Sequence, residues 1–270
     1  MATQGGKRAA TGRDAGRAPV FSVVTCVANG AVTIEKTIKS VLGQTHRDFE
    51  YLVIDAASID GTPEILARYD DQIDYWCSEP DLGIYDAWNK ALRQAHGAWI
   101  LFLGCDDELY PDALLKYSQL LSRHGDESLH YVSSRVDFML NGKRLQTIGK
   151  AWKWPDFSKY MTVAHVGSLH HRSLFAEYGE FDTRYRICGD YELLLRPRAN
   201  LRAVFLAEST AIANYGGVSN LLAGPALREA CRAKRTSGGR AAWRCEIEYL
   251  IARFKALVRG MVRWRPHARS

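Results

Sequence analysis

Short apolar segments alternate with amphipathic helical patterns through the first hundred residues, and this alternation restricts the fold more than any other feature of the sequence. Runs rich in β-branched and aromatic residues at 20–26, 49–54, 73–77 and 99–103 are typical of buried strands. Between these runs, apolar residues recur at helical spacing. Strands that alternate with helices pair in parallel through right-handed crossovers. We therefore predict an α/β fold built on a doubly wound, mostly parallel sheet.

The second half of the chain does not continue this alternation. Strand, hairpin and helix patterns follow at 131–136, 138–148, 190–196 and 203–206. The second of these segments contains Asn141-Gly142, which is a strong signal for a two-residue hairpin turn. We expect a mixed-sheet second half that continues the first, so that residues 20–224 form one domain.

The two ends of the chain are basic, whereas its middle is acidic. Residues 1–19 hold four Lys or Arg and one Asp, and residues 225–270 hold twelve Lys or Arg and three Glu. The middle, residues 20–224, holds 20 Lys or Arg and 26 Asp or Glu. An acidic central region is not typical of a protein that binds nucleic acid, so we expect no nucleic-acid partner. Residues 1–19 also lack periodicity, which predicts a disordered basic tail.

An amphipathic pattern runs through the basic C-terminal region, residues 225–270. Its apolar stripe comprises Trp243, Ile247, Leu250, Ile251, Phe254, Leu257, Val258 and Met261. Basic side chains decorate the other faces, which predicts a C-terminal amphipathic helix suited to an anionic membrane surface. The alternative is that the stripe docks on the rest of the chain or on a second copy.

The sequence lacks the motifs of several common functional sites. The six cysteines are not spaced in pairs for zinc or redox chemistry, and no P-loop, dinucleotide-binding or nucleophile-elbow motif occurs. No apolar run approaches the ~20 residues of a transmembrane helix, and no secretory signal pattern is present. We therefore expect a cytoplasmic protein that is either soluble or, through its basic C-terminal helix, peripheral at the inner face of the cytoplasmic membrane.

Acidic side chains follow three of the four predicted strands. Asp55 ends the second strand, residues 79–81 follow the third, and Asp106 and Asp107 follow the fourth. In doubly wound sheets, ligands bind beyond the carboxyl ends of the strands, so these acids are candidates for a site. A carboxylate pair suits a divalent cation that keeps coordination positions open for phosphate oxygens. The alternative for Asp106 and Asp107 is a turn followed by a helix cap.

Eight segments together resemble the family 2 glycosyltransferases of the GT-A fold. These segments are residues 21–29, 37–45, 52–62, 78–90, 102–107, 165–175, 179–182 and 189–196. The segment 78–90 is similar to the polysaccharide-assembly branch of the family. The resemblance covers about residues 20–220 and identifies residues 20–224 as a glycosyltransferase catalytic domain. It implies an inverting enzyme that moves a sugar from a nucleotide-diphospho-sugar to a glycan or polyprenyl-linked acceptor.

The same resemblance assigns roles to residues that match the family motifs. Asp190 matches the general base, which removes the proton of the acceptor hydroxyl in a single displacement. Asp106 matches the last acid of the DxD motif and would help to bind Mn²⁺ or Mg²⁺ on the diphosphate. His165 lies on the acceptor side, with a purely structural histidine as the alternative.

The remaining matches are residues that the resemblance assigns to nucleotide binding. Asp55 would hold the nucleobase, the loop from Val27 to Asn29 would line the nucleotide, and Asp81 falls in a nucleotide-contacting loop. The resemblance therefore predicts that the donor binds across the carboxyl ends of the first strands.

The chain departs from the family pattern near these positions. Gly104 replaces the first acid of the DxD motif, which puts the strength of the metal site in doubt, and Ala28 replaces an aromatic residue. A non-catalytic nucleotide-sugar-binding or scaffold protein on the same fold is therefore the first alternative. A nucleotidyltransferase is the second, but such an enzyme is expected to carry a basic loop after the first strand, and residues 27–31 contain no Lys or Arg.

Overall fold

A single ten-stranded sheet organises the part of the chain that the structure describes. The computed structural model describes residues 3–8, 18–124, 129–214 and 223–263, and for residues 223 and 256–263 the backbone alone. The strands are β1 (Thr3–Gly5), β2 (Phe21–Val27), β3 (Phe49–Asp55), β4 (Tyr75–Ser78), β5 (Trp99–Gly104), β6 (Glu108–Leu109), β7 (Tyr131–Leu140), β8 (Lys143–Ile148), β9 (Leu169–His171) and β10 (Ala203–Asn214).

Helices cover both faces of this sheet. They are α1 (Ile34–Leu42), α2 (Thr62–Arg68), α3 (Ile84–Gln94), α4 (Ala113–His124), α5 (Trp154–Phe157), α6 (Arg172–Tyr178), α7 (Gly189–Leu195), α8 (Ala223–Thr236) and α9 (Ala242–Arg263), with a short 3₁₀ turn at Arg198–Asn200. The segment 62–64 begins α2, because Pro63 lies in the first turn, where its missing N–H costs nothing.

The strand order confirms the predicted fold class. Within the sheet the order is β1-β4-β3-β2-β5-β9-β7-β10-β6, and β8 pairs with β7. The neighbours β4, β3, β2 and β5 run parallel to one another. Strand β9 is antiparallel to both β5 and β7, whereas β10 runs parallel to β7. The first half is therefore parallel and doubly wound, and the second half makes the sheet mixed.

Two hydrophobic cores lie on opposite faces of the sheet. Phe21 and Val23 of β2 enter the core beneath α1, α2 and α4, whereas Val24 and Cys26 enter the core beneath α3, α6 and α7. Because both faces of β2 are buried, its sequence is a continuous apolar run rather than an alternating one.

The predicted hairpin joins β7 to β8. Asn141 and Gly142 both have positive φ angles, of 51° and 75°, as a type I′ turn requires. The strand predicted at 203–206 is longer than expected, because β10 continues to Asn214 beside β7.

The expectation of a disordered tail over residues 1–19 is wrong for residues 3–8. Strand β1 pairs antiparallel with β4, and the backbone N–H of Lys7 donates to the carbonyl of Ile73. The Asp70 carboxylate accepts hydrogen bonds from the Gly6 N–H and the Trp76 indole. The outer edge of β4 supplies backbone partners for this segment, so its pairing does not depend on strand-forming residues. Residues 9–17 lie outside the described residues.

The basic C-terminal region begins with α8, which packs against α7, and α9 packs against α8. Lys234 of α8 donates to Glu248 of α9 at 2.6 Å, and Cys245 is buried between the helices. The boundary between residues 224 and 225 stays a prediction, and α8 makes contacts across it. Among the described helices, none combines the length and apolar character needed to cross a bilayer.

The apolar stripe of α9 faces solvent over its described part. Trp243 is 60% exposed, Leu250 59% and Phe254 67%, and Ile247 and Ile251 are about half exposed. At 100° per residue these five side chains lie within one arc of about 100°. The side chains of Leu257, Val258 and Met261 lie outside the described residues. The stripe is therefore not docked on the described part of the chain.

Candidate active site

The strand registers bring the predicted donor-side residues to one edge of the sheet. Val27 of β2 lies beside Asp55 of β3, and Asp55 lies beside Ser78 of β4. On the other side of β2, Cys26 lies beside Gly104 of β5. The loops that follow these strands therefore meet at the carboxyl edge, as expected for a doubly wound sheet.

Asp55 is fully buried at this edge, and both its carboxylate oxygens accept hydrogen bonds. The donors are the backbone N–H of Ser58 at 2.9 Å, the Ser78 hydroxyl at 2.6 Å and the Ser58 hydroxyl. Asp55 therefore ties the loop after β3 to β4.

The loop after β2 is held against the loop after β3. Asn29 has a φ of 52°, its N–H donates to the Ser58 hydroxyl at 2.7 Å, and its Oδ1 accepts from the Ile59 N–H at 3.1 Å. Asn29 is exposed, whereas the Val27 side chain is buried in the core. Asn29 can therefore contact a ligand with its side chain, and Val27 positions the loop.

Gly30 allows the loop after β2 to turn tightly into α1. A Cβ at this position would lie 2.4 Å from Cγ2 of Val27 and 3.2 Å from Sγ of Cys105. The backbone N–H of Gly30 donates to the Thr62 hydroxyl at 3.0 Å. The close approach of this loop to Val27 and to Cys105 therefore depends on the missing side chain.

The two aspartates after β5 have different environments. Asp106 is exposed, whereas Asp107 is buried and accepts a hydrogen bond from the Gly104 N–H at 3.2 Å. Burial, with the neighbouring Asp106 charge as a second cause, raises the pKa of Asp107 to about 7. A Cβ on Gly104 would lie 2.6 Å from Oδ2 of Asp107, so the glycine makes room for that carboxylate.

The described residues include no cluster of three or more His, Cys, Asp or Glu side chains that could bind a metal ion. Asp106 presents an exposed carboxylate directly after β5, and a second exposed acid, Asp60 in the loop after β3, already accepts hydrogen bonds from the Ala31 and Thr62 N–H groups. Mg²⁺ is commonly bound in proteins by one or two carboxylates together with substrate phosphates. The residues present therefore fit a metal that is held jointly with a diphosphate, and they do not form a metal site of their own.

Asp81 lies in the loop between β4 and α3. Its Oδ1 accepts a hydrogen bond from the Gly83 N–H at 2.8 Å, and Gly83 has a φ of 117°. A Cβ on Gly83 would lie 2.5 Å from Nη1 of Arg186, so the exposed Arg186 guanidinium crosses directly over this loop. The structure thus brings a cation, which the sequence did not single out, next to the predicted nucleotide loop.

Asp190 lies in the first turn of α7, where it is half-buried. Its Oδ1 accepts hydrogen bonds from the Tyr85 hydroxyl at 3.3 Å and from the Tyr191 N–H at 2.8 Å. Within the described parts of the chain, no donor reaches Oδ2. One carboxylate oxygen is therefore fixed, and the other is left for a substrate.

The turn that leads into Asp190 is held by a side chain from α8. The carboxylate of Glu229 accepts hydrogen bonds from the backbone N–H groups of Arg186, Ile187 and Cys188, at 2.9, 2.8 and 2.9 Å. Three bonds to one carboxylate satisfy donors that would otherwise need water. The C-terminal region therefore helps to build the site, which the sequence pattern did not indicate.

His165 lies beside Asp190 in the same wall. Its ring stacks on Trp88 with centroids 4.6 Å apart and an interplanar angle of 8°. Burial lowers the pKa of His165, and the opposing effect of the Asp190 charge is smaller. Its Nε2 is buried and has no hydrogen-bond partner among the described residues. His165 thus presents a neutral ring with one unused nitrogen.

A cavity of about 670 Å³ extends from Asp190 and His165 toward α8 and α9. Most of its wall is apolar and comes from β7, β8, the segment 159–166 and the two C-terminal helices. Asp190 therefore lies between this cavity and α3, the helix that follows the Asp81 loop. Asp190 and His165, which the resemblance assigned separately, both line this cavity, and the sequence did not reveal the cavity.

Comparison with known proteins settles the family. The family model described as Glycosyl transferase family 2 matches residues 22–175. The chain belongs to this family. It is therefore a glycosyltransferase, as its eight motif segments predicted, and the alternatives of a scaffold protein and a nucleotidyltransferase are set aside.

Curated relatives of this glycosyltransferase include mycobacterial enzymes. The chain is 28% identical over 212 residues to the PGL/p-HBAD biosynthesis glycosyltransferase of Mycobacterium tuberculosis (strain ATCC 25177 / H37Ra), covering 76% of this chain and 81% of the relative. The aligned region therefore covers most of both proteins.

Solved structures confirm the GT-A fold. TarS 1–349 of S. aureus in complex with UDP-GlcNAc matches with a TM-score of 0.64 and 16% identity, covering 87% of this chain and 72% of TarS. The mannosyltransferase PcManGT of Pyrobaculum calidifontis, in complex with GDP-Man and Mn²⁺, matches with a TM-score of 0.59 and 18% identity, covering 90% and 76%.

Proposed function

We propose that this glycosyltransferase transfers one sugar from a nucleotide-diphospho-sugar to a hydroxyl of a glycan or lipid-linked acceptor, with inversion at the anomeric carbon. The observation that carries the proposal is the position of Asp190, whose Oδ1 is fixed by two hydrogen bonds while Oδ2 is unused. The donor-side loops lie on one side of this carboxylate, and the cavity lies on the other. The nucleotide-sugar complexes of TarS and PcManGT support a donor of this class.

The reaction is a single displacement. The acceptor oxygen attacks the anomeric carbon as its proton passes to Oδ2 of Asp190. The bond between the anomeric carbon and the phosphate oxygen breaks, and the nucleoside diphosphate leaves with the electron pair. Attack from the face opposite the leaving group inverts the anomeric centre, and no covalent enzyme intermediate forms.

The donor binds along the carboxyl edge of β2 to β5. Asn29 and Asp81 contact the nucleotide from the two flanking loops, and Val27 and Asp55 hold those loops in place by the contacts described above. Arg186 lies over Gly83, where its guanidinium can pair with phosphate oxygens. These assignments rest on the loop geometry together with the family motifs.

Asp106 is the protein ligand for a divalent cation, Mn²⁺ or Mg²⁺, on the donor diphosphate. When it is bound, such an ion stabilises the charge that develops on the leaving group. The Mn²⁺ in the PcManGT complex supports this assignment. Because Gly104 replaces a second acid, the phosphates contribute more of the ligand set than the protein does, and we expect metal binding to depend on the nucleotide.

The acceptor approaches from the side of His165 and the cavity. The exposed apolar stripe of α9 and the basic residues on the same helix suit an anionic membrane surface, to which each cation near the surface contributes about 1 kcal/mol. We therefore propose a peripheral association with the membrane through α9, which would bring the enzyme to a lipid-linked acceptor.

Calorimetric titration tests the donor assignment. Wild-type protein is titrated with UDP, GDP, CDP and dTDP, each with and without Mn²⁺. We expect one nucleotide to bind tightly, and we expect Asp106→Asn to abolish the enhancement by Mn²⁺. Asp71→Asn, on an exposed loop remote from the site, is the matched control. Binding of none of the four nucleotides would contradict the proposed function.

A further inference from the structure

The cavity beside Asp190 offers few hydrogen-bonding groups. Tyr191 already donates its hydroxyl to the Phe157 carbonyl at 2.8 Å, and Lys234 is paired with Glu248 at 2.6 Å. The outer polar members of the wall are Lys159, Tyr160, Tyr249 and Lys255, all exposed or half-exposed. Among the described residues of the wall, Asp190 keeps Oδ2 and His165 keeps its buried Nε2 without a hydrogen-bond partner.

The rest of the wall is hydrophobic. Val136 and Phe138 of β7, Met161 and Val163 of the following segment, and Leu227 and Ala230 of α8 all line it. A sugar ring carries several hydroxyl groups, and each one that is buried without a partner is unfavourable. An apolar group gains free energy from the same wall, because it removes that surface from water.

The cavity is continuous with the exposed stripe of α9. Ile251 lines the cavity and is also about half exposed as a member of that stripe. Ala252 lines the cavity from the next position of the same helix. A hydrophobic group can therefore pass from the surface of α9 to Asp190 along an apolar path.

We infer that this cavity binds a hydrophobic aglycone of the acceptor, an alkyl or aryl group attached close to the hydroxyl that Asp190 deprotonates. The inference rests on the proposed function and deepens it, because it names the chemistry of the acceptor. The free sugar of a glycan is not the occupant, since most of the wall is apolar and both Tyr191 and Lys234 are already engaged in hydrogen bonds within the protein.

Binding of three small glycosides tests the inference. Methyl, octyl and 4-nitrophenyl β-D-glucopyranoside share one sugar and differ in the aglycone, and the octyl compound is used below its micelle-forming concentration. Calorimetry measures their affinity for wild-type protein, for Ala252→Phe, which fills the cavity, and for Ala242→Phe. The last variant makes the same substitution at an exposed position of the same helix.

We expect octyl or 4-nitrophenyl glucoside to bind wild-type protein at least about tenfold more tightly than methyl glucoside. Ala252→Phe should remove this preference, and Ala242→Phe should keep it. A stronger preference for octyl indicates an alkyl aglycone, and a stronger preference for 4-nitrophenyl an aryl one. Equal affinity for all three glycosides, or a preference that survives in Ala252→Phe, would overturn the inference.

Two further measurements keep the outcome interpretable. If Ala252→Phe does not fold, Ala230→Leu fills the cavity from α8 with a smaller side chain and is subject to the same expectation. Nucleoside diphosphate binding is measured on the same samples and reports on the donor site alone. A protein that binds the nucleotide but shows no aglycone preference contradicts the inference and leaves the proposed function standing.

Discussion

The hydroxyl of Tyr85 donates a hydrogen bond to Oδ1 of Asp190 at 3.3 Å across 105 positions of sequence. Tyr85 is buried in α3, where its ring stacks on Phe181 with centroids 5.7 Å apart. Helix α3, which follows the Asp81 loop, thus orients the carboxylate of Asp190 through the Tyr85 side chain, whose position is fixed by packing. Donor-side and acceptor-side residues are linked by this contact.

We predict that Tyr85→Phe lowers kcat about three- to thirtyfold and leaves the KM for the donor within about twofold. The phenylalanine ring keeps the packing and removes only the hydrogen bond to Asp190. Steady-state kinetics of sugar transfer, with the donor identified by calorimetry, measure both constants. Tyr69→Phe, which removes a hydroxyl bonded to Glu35 and leaves the bonds of Asp190 intact, is the control. A change in KM alone would show that Tyr85 does not position the base.

The Tyr85 ring leaves no room for a side chain at position 189, the residue before Asp190, so a glycine is needed there. A Cβ on Gly189 would lie 2.7 Å from Cε2 of Tyr85 and 2.8 Å from Cζ. We predict that Gly189→Ala lowers the free energy of unfolding by about 1–3 kcal/mol, because the ring or α7 must move. Denaturant unfolding measures the change, and transfer activity should fall with it.

Gly224→Ala is the matched substitution for this test, because a Cβ there meets no atom within 4 Å and the residue lies in α8. It should leave stability unchanged or raise it by up to about 1 kcal/mol. Equal effects of the two substitutions would show that the contact with Tyr85 is not tight.

From the burial of His170 we predict that the folded protein loses stability in mild acid. It is fully buried among the rings of Phe102, Tyr131 and Phe175, and burial holds its pKa well below the ordinary value. The unfolded chain takes up a proton near pH 6.5 and the folded chain does not. Stability is therefore fully present above that pH and is lost as the pH falls toward the lowered pKa, by up to about 1.4 kcal/mol per pH unit.

His170→Phe removes this proton uptake and should reduce the slope of unfolding free energy against pH between 7 and 5, whereas His165, whose pKa burial also lowers, keeps its own contribution. His124→Phe, at an exposed position at the end of α4, should keep the wild-type slope. Urea unfolding at several pH values gives the slopes. If His170→Phe retains the full wild-type slope, other groups are responsible for it.

The exposed stripe of α9 predicts binding to anionic vesicles. The double variant Leu250→Asp, Phe254→Asp should reduce partitioning onto phosphatidylglycerol-containing vesicles by at least about tenfold, because two apolar contacts are lost and two negative charges are added. Vesicle sedimentation measures the bound fraction. Leu140→Asp, Leu145→Asp, on the exposed hairpin of β7 and β8, is the control. Unchanged sedimentation of the α9 variant would rule out this helix as the anchor.

Much of the fold could be predicted from the sequence, because recognisable local patterns in short segments determine it. The apolar run of β2, the turn at Asn141-Gly142 and the position of Asp190 at the start of a helix are all properties of short segments. Strand β1 was not predicted, because a run of three residues, Thr3 to Gly5, is too short to indicate a strand and pairs only when the edge of β4 is present.

The contacts that complete the site are long-range, and the sequence does not show them. Tyr85 reads as one residue of an apolar helical stripe, yet its hydroxyl reaches Asp190. Glu229 reads as one acid in a basic region, yet it holds three backbone N–H groups ahead of Asp190. The cavity likewise depends on how α8 and α9 pack beside β7, which no local pattern specifies.

The most direct test of the account is sugar transfer by Asp190→Asn beside its affinity for the nucleoside diphosphate. Asp182→Asn, which weakens a surface pair with Arg184, is the control. We predict that Asp190→Asn lowers transfer by at least about a thousandfold and leaves nucleotide affinity within a few-fold, because the carboxylate acts on the acceptor hydroxyl. Turnover at the wild-type rate in Asp190→Asn would contradict the assignment of Asp190 as the base.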